Sequence, residues 1–420
     1  MTLQEEIRQI GANAKNAALI LAGESGAKRS NAVLAMADAI ERHKTTILDA
    51  NAIDLSNAKE AGLTDAMIDR LTLTDARFKS MVEGVRQVAA LPDPLSHRLA
   101  KIHRPNGLEI TKKPVPIGVV AIIFESRPNV TADAAALCLK SGNSAILRGG
   151  KEAIATNKAI ADAIIQGLAK AKMPNGTIQL IRTTDRAAVG ELVSLDEYVD
   201  VVIPRGGESL IRAVVEQARV PVLKHYNGIC HIFVDESADQ NAAIEIIKNA
   251  KCQRPGTCNA VEKVLVHASI AEEFIPRLAS EAEKWGVEIR ADEMALSYAP
   301  SLTPATEEDW KQEYLAKIFT LGVVPNVKAA IEHINFYGSH HSDAILTSSK
   351  ANARRFTTYV DSAAFYVNAS TRFTDGGEFG FGCEMGISTD KLHARGPVGI
   401  KELTTYKYVI QGNGHIRASS

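Results

Sequence analysis

The segment Lys251-Cys-Gln-Arg-Pro-Gly-Thr-Cys-Asn-Ala260 contains the residue best suited to chemistry, Cys258. A Pro-Gly turn precedes this cysteine, and the apolar run from Val261 to Val266 follows it, which predicts a thiol held at the start of a buried strand. A nearby arginine and turn N–H groups favour the reactive thiolate. Cys258 is therefore the predicted nucleophile, and the alternative is a small buried apolar residue with no chemical role.

Two glycine pairs follow predicted strands and precede predicted helices, in Leu147-Arg-Gly-Gly-Lys151 and in Ile203-Pro-Arg-Gly-Gly-Glu208. Helix N-termini at the carboxyl ends of strands offer N–H donors to phosphate groups. Basic side chains beside the turns supply the charge that a nucleotide with a 2′-phosphate needs. The alternative is a pair of ordinary tight turns. The predicted cofactor-binding residues here are Arg148, Lys151, Arg205, Gly206 and Gly207.

Asn129 follows another apolar run, Val115 to Phe124, and comes directly before a helical pattern. Its side-chain amide could stabilise an oxyanion formed by attack on a carbonyl, together with the Cys258 backbone N–H. The alternative is that Asn129 caps a helix that begins near Thr131.

The elements that must position these residues follow from periodicity. The first ninety or so residues have apolar spacings of three and four, which predict a helical layer, with two helices up to about Asn51. Continuously apolar strands then alternate with helices up to Lys224, and a second such pattern begins near Cys230. This order predicts α/β architecture with doubly wound, Rossmann-like parallel sheets.

Residues Leu99 to Lys113 contain two alternating runs around Pro105-Asn-Gly107. Asn-Gly between such runs predicts a hairpin. Because it carries many polar residues, this hairpin is predicted to project and to pair with another subunit.

Composition excludes several classes of protein. The chain has 420 residues, with 48 basic and 49 acidic side chains, so there is no basic surplus for nucleic acid or a membrane. Its five cysteines lack metal-ligand spacing, which predicts no metal and a reduced, cytoplasmic protein. The N-terminus lacks the apolar core of a signal peptide. The expected partners are small molecules and copies of the same chain.

Over nearly its whole length the sequence resembles the aldehyde dehydrogenase superfamily. Leu147-Arg-Gly-Gly-Lys151 resembles the family's cofactor-ribose lysine segment, and Arg127-Pro-Asn129 loosely resembles its oxyanion motif. Gln253 to Ala260, Phe124 to Val130 and His393 to Gly399 are similar to signatures of the acyl-phosphate-reducing branch. Hydrolytic members carry a general-base glutamate in a Glu-Leu-Gly-Gly motif, whereas the corresponding segment here, Lys224-His-Tyr-Asn-Gly228, has no carboxylate.

The resemblance implies NADPH-dependent reduction of L-glutamyl 5-phosphate through a Cys258 thioester, in proline biosynthesis. It implies an NADP-binding domain of residues 1–98 and 114–225, a catalytic domain of residues 226–398, and an oligomerisation element of residues 99–113 and 399–420. It further implies Glu313 at the cofactor ribose, Arg254 and His225 at the substrate, a homo-oligomer, and glutamate 5-kinase as a possible partner. A coenzyme A-acylating aldehyde dehydrogenase and a non-catalytic nucleotide-binding relative remain alternatives.

Overall fold

The computed structural model describes residues 1–417. The α-helices are α1 (Leu3–Leu21), α2 (Gly26–Arg42), α3 (Lys44–Glu60), α4 (Asp65–Leu71), α5 (Asp75–Ala90), α6 (Asn129–Lys140), α7 (Ile154–Lys170), α8 (Ala187–Val193), α9 (Glu208–Gln217), α10 (Gln240–Cys252), α11 (Ala268–Trp285), α12 (Glu293–Tyr298), α13 (Val327–Tyr337) and α14 (Lys350–Tyr359). The strands are β1 (Ala100–His103), β2 (Glu109–Pro116), β3 (Val119–Phe124), β4 (Ser144–Gly149), β5 (Ile178–Leu180), β6 (Val201–Arg205), β7 (Cys230–Val234), β8 (Val261–His267), β9 (Glu288–Ala291), β10 (Thr303–Pro304), β11 (Ile318–Val324), β12 (Ser342–Leu346), β13 (Ala364–Val367), β14 (Ile387–Ser388), β15 (Gly396–Pro397) and β16 (Thr404–Gln411).

The chain forms two compact units, and the first contains residues 1–224, 380–386 and the described residues from 398 onward. Its central sheet is parallel, in the order β5-β4-β3-β6. Every residue of β3 and β4 is buried. Helices including α1, α6, α7 and α8 pack on the sheet, which explains why its strands are continuously apolar.

A second sheet in the first unit is antiparallel, in the order β1-β2-β16. The β1–β2 hairpin turns through Gly107, whose φ of 91° lies in the left-handed region that glycine tolerates. Strand β16 pairs with β2 along its full length, from Thr404 opposite Pro116 to Gln411 opposite Glu109. The hairpin predicted from Asn106-Gly107 is confirmed.

The second unit contains residues 225–379 and 387–397, and it is built on a seven-stranded sheet in the order β10-β9-β11-β8-β7-β12-β13. All the strand pairs of this sheet are parallel. Alternate residues of the central strands enter different apolar cores: Ile232 and Val264 pack with α10 and α11, whereas Phe233 and Leu265 pack with α13 and α14. The predicted doubly wound fold is confirmed in both units.

Several elements differ from the predictions. The helical layer contains a third long helix, α3, in the region where the pattern weakened because α3 buries the polar residues Asn51 and Asp54. Strands β9 and β10 and helix α12 were not predicted, since they are short and β10 is exposed at the sheet edge. Within residues 1–417, no helix is both long and apolar enough to cross a membrane.

Candidate active site

Cys258 lies in a short turn between the end of α10 and the start of β8. Local hydrogen bonds shape the turn: Thr257 Oγ1 donates to Arg254 O at 2.9 Å, and the Ala260 N–H donates to Thr257 O at 2.9 Å. Asn259 is buried and its Nδ2 donates to the carbonyl of Thr374 at 2.9 Å. The cysteine itself is half-buried between these two hydrogen-bonded residues.

Gly228 explains how closely the segment before β7 approaches this turn. A Cβ built on Gly228 would lie 1.9 Å from the carbonyl oxygen and 2.6 Å from the Cα of Cys258. Cys230, two residues later, donates its S–H to the same carbonyl oxygen at 3.2 Å. The backbone of Cys258 therefore packs directly against the backbone of Gly228, and its carbonyl oxygen accepts a hydrogen bond from the buried Cys230 thiol.

Two histidines accompany the cysteine. Cys258 Sγ and one ring nitrogen each of His225 and His341 all lie within 4.8 Å of one another. His341 is fully buried, and this burial holds its pKa well below the usual range, which leaves a neutral imidazole. His225 is half-buried, and its Nδ1 lies 2.7 Å from Ile387 O.

Two arginines add positive charge. Arg254 is exposed in the cysteine turn, and Arg372 follows β13, with its Nε donating to Gln253 Oε1 at 2.8 Å. Burial lowers the pKa of Arg372, the nearby Arg254 lowers it further, and the charges of Asp375 and then Cys258 raise it. Both guanidinium groups can attract an anionic substrate to the cysteine turn.

Glu313 precedes β11 and accepts a hydrogen bond from the Gly228 N–H at 3.0 Å. Its neighbour Tyr314 is held by Glu262, whose Oε2 accepts from the Tyr314 N–H at 3.1 Å. Glu262 also pairs with Lys251 at 3.0 Å, and both side chains have no exposure. Burial raises the pKa of Glu262 to about 7 although Lys251 lowers it. A buried ion pair thus supports the segment before β11 that contains Glu313.

In the first unit, Asn129 is the first residue of α6, and Pro128 occupies the N-cap position without a side-chain bond. The alternative in which Asn129 caps a helix near Thr131 is therefore wrong. Asn129 Nδ2 instead donates to Asp133 Oδ2 at 2.8 Å, one turn along the helix. Burial raises the pKa of Asp133 to about 6, and the bond from Asn129 acts against that rise. Because an amide has two N–H groups, one remains for a ligand.

The glycine-rich segment 380–386 lies beside this pair. A Cβ on Gly386 would meet the Cδ and Nη1 atoms of Arg205 at 3.1 Å. Burial raises the pKa of Cys383 to about 12, and the charge of Asp133 contributes to the rise. Arg205 in turn lowers the pKa of Asp133. Arg205, predicted at the cofactor, thus lies close to the Asn129–Asp133 pair.

Carboxylates already occupy N–H donors at the two glycine-pair turns. At the first turn, Asp54 of α3 accepts from the Ala155 and Thr156 N–H groups at 3.1 and 2.7 Å. At the second, Glu125 Oε2 accepts from the Gly207 N–H at 2.9 Å. A phosphate at these donors would have to displace them.

The remaining surroundings of the turns fit an anionic ligand. Lys151 is exposed, and no atom of the described residues lies within 4 Å of the position of a Cβ on Gly207, so a bulky group can approach both. Arg148 is buried, its Nη1 donates to Gly149 O at 2.9 Å, and burial lowers its pKa. Its Nε is buried without a hydrogen-bond partner.

Sequence reasoning did not identify Asp133, His341 or Arg372. Asp133 had a local signal, since it follows Asn129 by four residues and the two share one face of a helix. His341 lies 83 positions after Cys258 (341 − 258), and Arg372 lies 114 positions after it (372 − 258). Only the folding of the second unit brings the three residues to the same region. No local pattern could have shown them.

The aldehyde dehydrogenase family model matches residues 2–309. Together with the paired Rossmann-like units and the cysteine turn, this match defines the class, and the chain belongs to the aldehyde dehydrogenase family. As a member it is an oxidoreductase acting on an aldehyde, and the family uses a nicotinamide nucleotide as cofactor.

Solved structures place the chain in one branch of that family. It is similar to gamma-glutamyl phosphate reductase from Thermotoga maritima, with 47% identity, a TM-score of 0.97, and 98% of this chain and 100% of that chain covered. Gamma-glutamyl phosphate reductase from Saccharomyces cerevisiae is 34% identical, with a TM-score of 0.55 and 99% of each chain covered. The chain therefore belongs with the gamma-glutamyl phosphate reductases.

An acetylating aldehyde dehydrogenase from Geobacillus thermoglucosidasius shares the fold at 18% identity, with a TM-score of 0.69 and coverage of 99% of this chain and 98% of that chain. This likeness concerns the fold alone. The coenzyme A-acylating alternative is thus a distant one.

Proposed function

We propose that this chain reduces L-glutamyl 5-phosphate to L-glutamate 5-semialdehyde and phosphate in proline biosynthesis, with Cys258 as the nucleophile and NADPH as the reductant. The observation that carries the proposal is the Cys258 turn. It holds a half-buried thiol beside two arginines, and the segment from Lys224 to Gly228 next to it contains no carboxylate.

The first half-reaction is acyl transfer. The Cys258 thiolate attacks the acyl carbon, a C–S bond forms, and the bond from that carbon to the phosphate oxygen breaks with its electron pair leaving on phosphate. Arg254 and Arg372 would bind the phosphate or carboxylate of the substrate, and His225 lies close enough to Cys258 to contact the reacting group. The product of this step is a thioester on the enzyme.

The second half-reaction is reduction. A reduced nicotinamide, when bound, supplies the hydride that the thioester carbon accepts. The amide of Asn129 would stabilise the oxyanion of the resulting hemithioacetal, and Asp133 would hold that amide in place. Collapse then breaks the C–S bond, releases the aldehyde and returns the thiolate of Cys258.

The missing carboxylate determines the fate of the thioester. A hydrolytic aldehyde dehydrogenase needs a general base that activates water. The corresponding segment here contributes His225 and Gly228 instead, and the carboxylate of Glu313, which lies outside the segment, accepts the Gly228 N–H. The thioester therefore persists until hydride or phosphate consumes it.

Cofactor binding is proposed for the carboxyl ends of the first unit's strands. Lys151 would contact the adenine ribose, Gly206 would lie at the second turn with Gly207, and the open space beside Gly207 leaves room for the dinucleotide. Arg148 and Arg205 supply the positive charge that favours NADPH over NADH, and Glu313 would contact the nicotinamide ribose. Residues 1–98 and 114–225 would form the domain that binds the cofactor, and residues 226–398 would form the catalytic domain.

The assembly and location follow the same proposal. The sheet of β1, β2 and β16 presents exposed Ile102, Tyr406, Tyr408 and Ile410, which are suited to burial between copies of the chain. We propose a homo-oligomer in the cytoplasm, in which glutamate 5-kinase could deliver the unstable acyl phosphate directly.

The test uses the reverse reaction. Purified protein, NADP⁺ and glutamate 5-semialdehyde are mixed with and without phosphate, and NADPH absorbance is followed. We expect phosphate-dependent NADPH formation, with kcat reduced by about 10⁴-fold or more in Cys258→Ala while NADPH binding is retained. Cys252→Ala, a thiol of similar exposure in the preceding helix, is the control and should remain active. Turnover that needs coenzyme A instead of phosphate, or an active Cys258→Ala variant, would contradict the proposal.

A further inference from the structure

The cluster of Cys258, His225 and His341 has a composition that acyl transfer alone does not require. A thiol and two imidazoles are the ligand types that zinc prefers in proteins. Their three donor atoms lie within 4.8 Å of one another. Zn–S and Zn–N bonds of about 2.3 and 2.0–2.1 Å place tetrahedral donor atoms about 3.4–3.6 Å apart. Side-chain adjustments of about 1 Å would therefore bring the three atoms into coordination distance.

The second observation is a buried nitrogen without a partner. His341 has no exposed surface, and its Nε2 makes no hydrogen bond to any residue of the described range 1–417. Its other nitrogen, Nδ1, is engaged, at 2.9 Å from Ser342 Oγ and 3.7 Å from Cys230 Sγ. A buried polar atom without a partner is costly, and a ligand at this site would remove that cost.

Both histidines are also oriented as metal ligands usually are. Ligating imidazoles generally have their second nitrogen hydrogen-bonded to a backbone carbonyl or another polar group, which fixes the tautomer and the ring. His225 Nδ1 lies 2.7 Å from Ile387 O, and His341 Nδ1 is near the Ser342 hydroxyl. The rings meet edge to face, with centroids 5.5 Å apart. Each Nε2 is therefore the nitrogen oriented for coordination.

We propose that Cys258, His225 and His341 form a binding site for a zinc-class divalent cation, and that occupation of this site reversibly blocks the nucleophile. Binding replaces the thiol proton of Cys258 with the metal, the proton is released to buffer, and no electron transfer is involved. The fourth position is left to water, as in zinc sites with three protein ligands. The sulfur lone pair that would attack the acyl carbon is then used in the Zn–S bond.

Direct binding is the first test. The full-length chain without an affinity tag is titrated with Co²⁺ alone and then with Zn²⁺ in competition. We expect one equivalent of Co²⁺ to give a thiolate-to-cobalt charge-transfer band, which Zn²⁺ abolishes. Cys258→Ala should remove the band, and His341→Gln or His225→Gln should weaken zinc binding by about 100-fold or more. The two histidine variants are independent, so a folding defect in one leaves the other as a test.

The matched control is His340→Asn. His340 is adjacent to His341 but outside the cluster, and its φ of 62° suits asparagine, which tolerates the left-handed region. Zinc affinity should be unchanged in this variant. Equal affinity in the wild type, Cys258→Ala and His341→Gln, or a cobalt spectrum without a thiolate band, would overturn the proposed site.

A second test separates this site from the proposed function. Iodoacetamide labelling of each cysteine is measured by mass spectrometry with and without Zn²⁺. Zinc should protect Cys258 at least about tenfold, whereas the half-buried Cys252 and Cys383 serve as internal references. These binding and labelling results do not depend on turnover, so they hold even if the proposed reaction fails. Inhibition of turnover by zinc, reversed by a chelator, tests the blocking role, which does depend on that reaction.

Discussion

The two units place their candidate functional residues at opposite ends of their strands. In the first unit Asn129, Lys151 and Gly206 follow the carboxyl ends of β3, β4 and β6. In the second unit Gly228, Cys258 and His341 precede the amino ends of β7, β8 and β12. The rule that open α/β sheets bind ligands at the carboxyl ends of their strands thus applies to the first set and not to the second.

The difference has an electrostatic consequence. The carboxyl ends of parallel strands lead into helix N-termini, which favour anions, whereas their amino ends follow helix C-termini, which disfavour them. The turn with Cys258 follows the end of α10, and His341 follows the end of α13. A thiolate there must be stabilised by side chains, and Arg254 and Arg372 are the cations beside it. The amino-end site therefore depends on individual charges and close backbone packing.

The largest effect is expected from Glu262, which belongs to the support of the amino-end site. Glu262→Ala leaves Lys251 charged and unpaired with no exposure, and this should lower the free energy of unfolding by about 3–5 kcal/mol. Denaturant unfolding measures the change. The control is Glu281→Ala, which breaks an exposed pair with Lys284 and should cost less than about 1 kcal/mol. Similar losses in both variants would show that the buried pair has no special role.

At the carboxyl-end site, Asn129→Ala should lower kcat by about 10²- to 10³-fold, because one oxyanion donor is lost. Steady-state kinetics of the reduction measures it, with thermal melting to verify folding. Asn31→Ala, at an exposed position of the same unit, should behave like the wild type. A normal kcat in Asn129→Ala would show that the Asn129 amide does not take part in the reaction.

Gly228→Ala tests the close backbone packing at the amino ends. The added Cβ would lie 1.9 Å from Cys258 O, so the turn must shift, and a shift of about 1 Å should lower kcat by about 10²-fold. Gly256→Ala is the control in the same turn, since its Cβ would meet Leu315 O at an ordinary 3.7 Å. Iodoacetamide reactivity of Cys258 should change in Gly228→Ala alone. If both variants keep full activity, the packing is not needed for catalysis.

The smallest effect concerns the pH dependence of the carboxyl-end pair. The folded pKa of Asp133 is about 6, above its ordinary 3.8, so its ionisation opposes folding, and its contribution to stability is lost as pH rises through about 6. For activity the sign is opposite, because the ionised carboxylate accepts the Asn129 amide N–H more strongly than the protonated acid does. Activity should fall about tenfold as pH decreases from 7 to 5.

The Asp133→Asn variant should have a lower kcat/KM than the wild type at pH 7. Its pH profile should lack the decrease in kcat/KM that the wild type shows below about pH 6. A pH profile of kcat/KM for both proteins measures the difference. An acidic limb that persists unchanged in Asp133→Asn would assign it to another group.

The sequence predicted what local patterns encode. The apolar runs of β3 and β8, the hairpin at Asn106-Gly107 and the cysteine turn depend on neighbouring residues, and all four are present. It did not predict what tertiary packing decides. The Asp54 carboxylate accepts the Ala155 N–H, 101 positions later in the chain (155 − 54). The Glu125 carboxylate accepts the Gly207 N–H, 82 positions later (207 − 125). Only tertiary packing brings these carboxylates to the two turns. His341 reaches Cys258 because β12 pairs with β7, which pairs with β8.

The contact of Asp54 with the start of α7 limits how the chain can be shortened. A shortened chain that began at the first strand would lack α3, and the N–H groups of Ala155 and Thr156 would lose their carboxylate. The end of helix α7 nearest Lys151 would then be uncapped, at a cost of about 1 kcal/mol, and the apolar surfaces that α2 and α3 cover on α7 would be exposed to water. The N-terminal helices are thus an integral part of the first Rossmann-like unit, and truncated or fusion versions of this enzyme should retain them.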